Sequence, residues 1–383
     1  MKRDQISRTQ LMALLWAGVM APAAQLLPGL LLPRAGRGAW LAVALAAPLV
    51  LAAGWMWGRL AGRDGPAGEI CRLIGRGPGR VLLFIYMVWG ELMLTVRLRA
   101  CAQRLLASGN RDGALWFFVL ALAALLLWMG RGKLAAFARA GQMFLAALLT
   151  AAGVVLALSW IQARPERLFP LWWNDAVPVL LAALEGTGVL GWGLFAAFLL
   201  GRVRPAKGTG WHWLAWGLGG TLLLAGAQMI ILGNLGAELA ARLDNPFFTL
   251  AKSVGVEGAF QRVESLVSAL WTFADLAMGG VLIFALRILG DEVLPPAARR
   301  WVPWGAVILA SVGSLTLLAG AAGVETWSRR WVPIGNLILG VAVPALLCLV
   351  DRAAGKGKKR GISCGPKAKK LADIEEEKKS DEK

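Results

Sequence analysis

Long apolar runs separated by short charged connections fill most of the chain. Ten of them approach the about 20 residues that a helix needs to cross roughly 30 Å of hydrocarbon. They lie at 11–32, 39–58, 81–96, 115–130, 142–160, 176–200, 213–235, 266–289, 304–321 and 333–350, the third and fourth being the shortest. No stretch alternates apolar and polar positions as a barrel strand does. Backbone in lipid must pair with itself, so the pattern predicts ten transmembrane helices. The first run follows Lys2, Arg3 and Arg8 and contains Ala21-Pro22-Ala23-Ala24, the outline of a cleavable signal peptide. It continues to Leu32, longer than such a segment needs, and is read as the first membrane helix.

Composition agrees with one membrane domain over 1–350 and a different material beyond it. The chain is 57% hydrophobic, with a mean hydropathy of +0.60, too apolar for a soluble domain. The segment 351–383 opens on Lys356, Lys358, Lys359 and Arg360 and turns mixed-charge at Glu375-Glu376-Glu377. It is read as a cytoplasmic, disordered tail whose basic half either meets anionic headgroups or only fixes topology. The net charge of +18 sits mostly between the apolar runs, so nucleic acid is not an expected partner and the lipid bilayer is. With the N-terminus inside, the cytoplasmic connections hold the excess of Lys and Arg, which places both termini in the cytoplasm. Arg97, Arg99, Arg104 and Arg111 load one external loop against that rule.

Catalytic chemistry is hard to build here. A single His and four Cys leave no zinc set and no His-based triad, so an enzyme is not expected, nor a metal or other cofactor. Cys71, Cys101, Cys348 and Cys364 show no C-x-x-C spacing and are read as reduced and structural. Gly75-Arg76-Gly77-Pro78-Gly79 lacks the Lys-Ser/Thr ending of a phosphate loop.

The helix-breaking residues are unevenly placed. The first span holds Gly18, Pro22, Pro28 and Gly29, and the sixth holds Glu185-Gly186-Thr187-Gly188 followed by Gly191 and Gly193. Proline removes a backbone donor, and glycine lowers the cost of leaving helical geometry. Ten helices divide five plus five, with the interrupted span first in each half. That is the arrangement of inverted-repeat transporters, whose ligand lies between two broken helices near the midplane. Unwound ends offer N–H groups to a carboxylate and carbonyls to an ammonium, so the candidate ligand contacts include Gly18, Ala21, Pro22, Gly186, Thr187 and Gly188. The plain alternative is that Pro and Gly are common in membrane helices.

Three acids fall inside spans: Glu91, Glu185 and Asp275. Such residues face a cavity or a partner. Glu185 either meets a ligand ammonium or proton, or caps amides freed by the break. Glu91, four residues before Thr95 and six before Arg97, either joins a structural polar cluster or takes part in coupling. Asp275 either bridges helices or belongs to a proton relay. Ser268 and Thr272 share a helix face, as a cation site with the first helix or as helix–helix hydrogen bonds. Tyr86, the one tyrosine, either donates to a ligand or packs in the core with one satisfied hydrogen bond.

Three stretches resemble the spore germination permease family, the B subunits of nutrient germinant receptors, within the amino acid–polyamine–organocation superfamily. Ile6-Ser7 with Gln10, Pro28 and Ala35-Gly36-Arg37-Gly38-Ala39-Trp40 resembles the family's opening helix, with Gly38 where its signature has Asp. Asn245-Pro246-Phe247 continuing to Ala251-Lys252-Ser253 resembles the external segment before the eighth helix. Phe260-Gln261-Arg262-Val263-Glu264-Ser265-Leu266 with Trp271 is close to the family's Glu-Arg-Leu-Glu-Ser-Leu followed by Trp. Gly191-Trp192-Gly193-Leu194 stands where relatives often carry a Phe-Gly-Glu-like element.

The resemblance implies an all-α polytopic membrane protein: ten transmembrane helices in a LeuT-like 5+5 inverted repeat with the first and sixth helices broken. It implies a receptor subunit in the spore inner membrane, assembled with A and C subunits and binding a small nutrient such as an amino acid. Arg262 and Glu264 fall at the external mouth, where they gate entry, contact a partner subunit, or form only a local ion pair. A proton- or sodium-coupled amino acid permease is the alternative. The absence of Lys and acids over 142–160 weakens proton coupling of the kind some superfamily relatives use.

Overall fold

The computed structural model describes residues 4–62, 65–107, 113–169, 171–204, 209–243, 245–253, 263–318 and 320–354. The first half comprises α1 (Arg8–Ala35), α2 (Ala39–Arg59), a short α3 (Pro66–Ile74), α4 (Arg76–Ala107), α5 (Leu115–Arg131) and α6 (Leu134–Gln162). The second begins with α7 (Ala176–Leu190), which continues as a 3-10 helix over Gly191–Arg202, and then α8 (Thr209–Leu235). Two short helices, α9 (Ala237–Arg242) and α10 (Pro246–Ser253), lead into α11 (Val263–Val293). The chain closes with α12 (Pro296–Arg299), α13 (Val302–Thr316), α14 (Ala321–Thr326), α15 (Val332–Leu337) and α16 (Val343–Ala354). The last three form one rod, joined by π-helical turns at Trp327–Trp331 and Ile338–Ala342.

Among the described residues, seven helical segments are long and apolar enough to cross a membrane. One of them, Pro22–Arg59, takes in parts of both α1 and α2, and α5 and α13 are shorter apolar helices. Counting α1 and α2 separately and adding those two shorter helices gives ten apolar segments among the described residues, in the order expected. Exposed Trp116, Trp128, Trp160, Trp172 and Trp211 cover the outside, while α1, α4, the α7 rod and α11 pack at the centre. The end of the bundle where α1 begins is the near end, and the opposite one the far end.

The two spans expected to be broken depart from that picture in detail. α1 runs without a gap through Pro22, Pro28 and Pro33. The missing donors leave the Gly18, Ala24 and Gly29 carbonyls without their usual i+4 N–H, so any loosening is confined to single hydrogen bonds. Its start is fixed by a capping box, Ser7 N donating to Gln10 Oε1 at 2.8 Å and Gln10 N to Ser7 Oγ at 3.1 Å. The sixth span stays α-helical through Glu185–Gly188 and changes only at Gly191, where the 3-10 segment runs for 12 residues. Such runs rarely pass three or four residues, and at about 0.5 Å more rise per residue this one is about 6 Å longer than α-helix would be. Side chains three apart eclipse in a 3-10 helix, and Trp192, Phe195 and Phe198 form such a ladder, all essentially inaccessible.

That ladder lies along α4. Trp192 covers the Arg97 guanidinium at 5.7 Å. Phe195 faces Gly90, where a Cβ would fall 2.9 Å from its ring. Phe198 meets the Tyr86 ring at 5.2 Å. Gly38 has a packing reason too: a Cβ there would lie 2.6 Å from Val179 Cγ2. Any side chain at this position, Asp included, would require Val179 to give way.

At the near end, the segment before α1 is threaded into the bundle. Ile6 is fully buried and pairs with the stretch after the 3-10 run, its N–H donating to Arg202 O at 3.0 Å and its carbonyl accepting from Arg204 N at 3.0 Å. Cys101 and Cys348 are free and buried, whereas Cys71 departs from the expected reduced state and is disulfide-bonded. From 355 onward, the charged tail lies outside the described residues.

Candidate functional site

α4 extends well past the span predicted for it. It reaches Ala107, so Arg97, Arg99 and Arg104 stand inside a helix and not in an external loop. The correction has a physical cause: each guanidinium has a partner on another helix. Arg97 and Arg104 are seven residues apart, two turns, and share a face of α4 with Cys101 between them. Asp275 of α11 bridges the two. Arg97 Nε donates to Oδ1 at 2.6 Å, and Arg104 donates to Oδ2. Arg104 also donates to Gln25 Oε1 of α1 at 3.2 Å, and Arg99 donates to the Ser314 carbonyl of α13 at 3.0 Å. The Arg97–Asp275–Arg104–Gln25 cluster thus ties together α1, α4 and α11, and Arg99 separately ties α4 to α13.

The cluster is dry. Side-chain exposures are 4% for Arg97, 10% for Arg104 and 3% for Asp275. Trp192 covers Arg97 and Trp271, one turn before Asp275, covers Arg104, each ring 5.7 Å from the guanidinium carbon. Cation–π contact of this kind is strongest where water is excluded. Beside the ions lies a cavity of about 10 Å³, lined by Arg97, Cys101 and Asp275 together with leucines of α4, α5 and α11. That is close to the space needed for one water.

The sequence-predicted residues fall into separate environments. Gly18 lies where α1 meets α11, a Cβ there falling 3.1 Å from Met278 Cα, and Pro22 is a buried position one turn further along α1. Ala21 is helical, and its side chain lies outside what is described. Glu185 pairs with Arg34 at 3.1 Å and is partly exposed at 29%, so it has a partner near the end of α1. Gly186 rests on Leu27 and Leu31. Thr187 turns its hydroxyl back to the Ala183 carbonyl at 2.8 Å, and Gly188 packs on Pro333 of α15. Tyr86 is fully buried and donates to the Leu339 carbonyl at 2.6 Å, beside Trp57 and Phe198. Thr272 is half-buried on α11.

Glu91 stands in the middle of α4. Thr95 donates to its backbone carbonyl at 2.9 Å, not to its carboxylate, whose Oε1 is buried without a hydrogen bond. Arg262 lies outside the described residues. Glu264 and Ser268 are described only as helical positions of α11. Of the candidates, Gly18 and Asp275 fall at one α1–α11 junction. The charged core around it, Arg97 and Arg104 with Gln25 and Trp192, was not among them. The signal available was the i, i+4, i+7 spacing of Arg97, Cys101 and Arg104 on one helical face.

The order of the apolar helices and their likeness to a solved structure define an all-α membrane protein of the LeuT-like fold, with a buried ionic cluster among α1, α4 and α11. The chain belongs to the spore germination protein family, whose permease model matches residues 5–317. It is similar in structure to MhsT in complex with L-phenylalanine, at 14% identity over 91% of this chain and 99% of that one, with a TM-score of 0.63. A mutant manganese transporter of Eremococcus coleocola aligns at 13% identity over 92% of this chain and 89% of that one, with a TM-score of 0.49. No curated protein sequence matches. At these identities the structural likeness shows the fold alone.

Proposed function

We propose that this protein is the ligand-binding B subunit of a nutrient germinant receptor in the spore inner membrane. It binds a small amino acid among α1, α4 and α11 and works with A and C subunits. The observation that carries this is family membership over 5–317. The Arg97–Asp275–Arg104 cluster adds recognition chemistry at the α1 stretch where a ligand contact is expected, and MhsT, of the same fold, is a protein crystallised with an amino acid. Both termini face the cytoplasm. With Arg97, Arg99 and Arg104 withdrawn into α4, the loop that ran against the positive-inside rule loses most of its charge, which supports that orientation. Binding acts by population shift: a ligand that contacts one arrangement of α1 and α11 better than another biases the assembly.

The test is a thermal-shift screen of amino acids, sugars and nucleosides on the purified protein. An amino acid held at 100 times its Kd stabilises by about 2.7 kcal/mol. Stabilisation by sugars or nucleosides alone overturns the amino acid assignment. A coupled permease is the second reading, favoured by the buried, unpartnered Glu91 oxygen in mid-span. Uptake of labelled amino acid into proteoliposomes, driven by a proton or sodium gradient, establishes it and removes the pure receptor.

A further inference from the structure

The buried cluster holds more positive than negative charge. Two guanidiniums face one carboxylate, all three at or below 10% exposure. The other acid of α4, Glu91, leaves its Oε1 without a hydrogen bond and forms no ion pair among the described residues. An uncompensated ion in such surroundings costs several kcal/mol. Among the described residues, one carboxylate therefore serves two guanidiniums, a donor set that a ligand's carboxylate can also use.

Asp275 spends one oxygen on each arginine, Oδ1 on Arg97 and Oδ2 on Arg104. A carboxylate has about four acceptor positions and a guanidinium five donors, so a second carboxylate meets the same donors in the same bridging way. The adjoining cavity is too small, at about 10 Å³, to add an amino acid to the cluster as it stands. Occupancy therefore requires exchange.

We propose that Arg97 and Arg104 are the seat for an amino acid's carboxylate, and that Asp275 is a resident carboxylate which the incoming one displaces. This rests on the function proposed above and names the end of the ligand that the site grips. The leucines that line the cavity then receive a small apolar side chain. Exchange also supplies the signal. In the closed state α11 is ion-paired to α4 through Asp275, and in the occupied state the ligand takes over the arginines and α11 is released. Two states that differ by contacts the ligand itself makes are what a ligand can shift.

The experiment uses the intact protein in lipid nanodiscs, titrated with the common amino acids and with the carboxamide of each. An acid that raises Tm while its carboxamide does not is the expected result, and equal shifts overturn the proposal. Asp275→Asn removes the internal competitor and tightens binding of that acid about tenfold, whereas Arg97→Gln and Arg104→Gln abolish it. Unchanged affinity in folded Asp275→Asn overturns the proposal as well.

A second arm needs no amino acid. Sodium acetate, compared with sodium chloride at equal ionic strength, saturably restores the Tm of Asp275→Gly. Asp275→Ala, which also vacates the carboxylate position, takes its place if the glycine variant does not fold. No restoration, or equal restoration by chloride, overturns the carboxylate seat. Restoration by acetate in a protein whose wild type answers to no amino acid keeps the seat and sinks the amino acid function instead.

Discussion

The side-chain amide of Asn336 donates to the backbone carbonyl of Gly188 at 3.1 Å, holding the sixth span against the last. The same amide accepts from Trp89 Nε1 at 3.0 Å, so one residue staples α4, α7 and α15. Close approach is what makes this possible: a Cβ on Gly188 would lie 2.4 Å from the Pro333 carbonyl, a backbone atom with little freedom to move. Gly188→Ala is therefore expected to cost about 1–3 kcal/mol by overpacking. Asn336→Ala costs a similar amount, because it strands a buried N–H and a buried carbonyl, about 1–3 kcal/mol. Melting of the purified variants checks both, and a Tm equal to wild type in both would remove the staple.

Removing one arginine and removing the shared aspartate should differ sharply. Arg97→Met leaves Arg104 and Asp275 as a balanced pair, while Asp275→Leu leaves two buried guanidiniums with no counter-charge. Breaking a buried ionic group by deleting its partner typically costs about 3–5 kcal/mol. Asp275→Leu is expected in that range and Arg97→Met well below it. Chemical denaturation of the two variants side by side gives the comparison, and equal losses would contradict a cluster with surplus positive charge.

Asp4 reaches across the near end to the start of α6. Its carboxylate accepts from Leu134 N at 2.5 Å and from Ala135 N at 3.1 Å, taking up two amides that the helix itself cannot satisfy. Asp4→Ala should cost about 1 kcal/mol, the usual value of an N-cap. Since Ile6 is buried beside the segment after the 3-10 run, the same change should speed hydrogen exchange at Ile6 and Arg204. Exchange unchanged at those amides would mean that Asp4 caps α6 without anchoring the strap.

These contacts also mark where the sequence stops being legible. Ten spans, their order and the membrane class followed from apolar run length, because a helix in lipid has one solution for its backbone. The end of α4 did not follow. Hydropathy closes a span at its first arginine, and only Asp275, 178 residues away, shows that Arg97 belongs inside. The sixth span misled for a related reason. Glu185-Gly186-Thr187-Gly188 has the composition of a break, yet Gly188 is small because α15 lies against it, and Thr187 bonds to its own helix. The real change of helix type begins at Gly191, and its visible sign was the period-three recurrence of Trp192, Phe195 and Phe198. Asp4 capping a helix 130 residues on has no local signature at all.

Glu91 should behave in the opposite sense from Asp275. Its Oε1 is buried without a hydrogen bond, and Thr95 uses only its backbone carbonyl. Replacing a poorly compensated buried acid by an apolar residue of similar size is often neutral or stabilising. Glu91→Leu is expected to melt at or above the wild-type temperature. If Glu91 serves coupling, the variant pairs that intact stability with loss of gradient-driven uptake in proteoliposomes. A clear drop in Tm would instead show that the carboxylate holds the fold.

Arg34 and Glu185 join the last turn of α1 to α7 near the far end, at 3.1 Å and with 46% and 29% of their side chains exposed. Exposed pairs contribute under about 1 kcal/mol, so Glu185→Gln should leave Tm nearly unchanged. Its effect belongs to opening. If the pair holds α1 and α7 together over the route to the cluster, its loss accelerates both association and release of a bound amino acid and leaves the equilibrium affinity close to wild type. Direct contact with the ligand ammonium would instead weaken affinity through faster release alone. Stopped-flow binding with Glu185→Gln separates the two, and Thr187→Val, whose hydroxyl is committed to Ala183, serves as the neighbouring control expected to change neither rate. Weakened affinity in both variants would return the ligand to the Glu185–Gly188 stretch, away from Arg97 and Arg104.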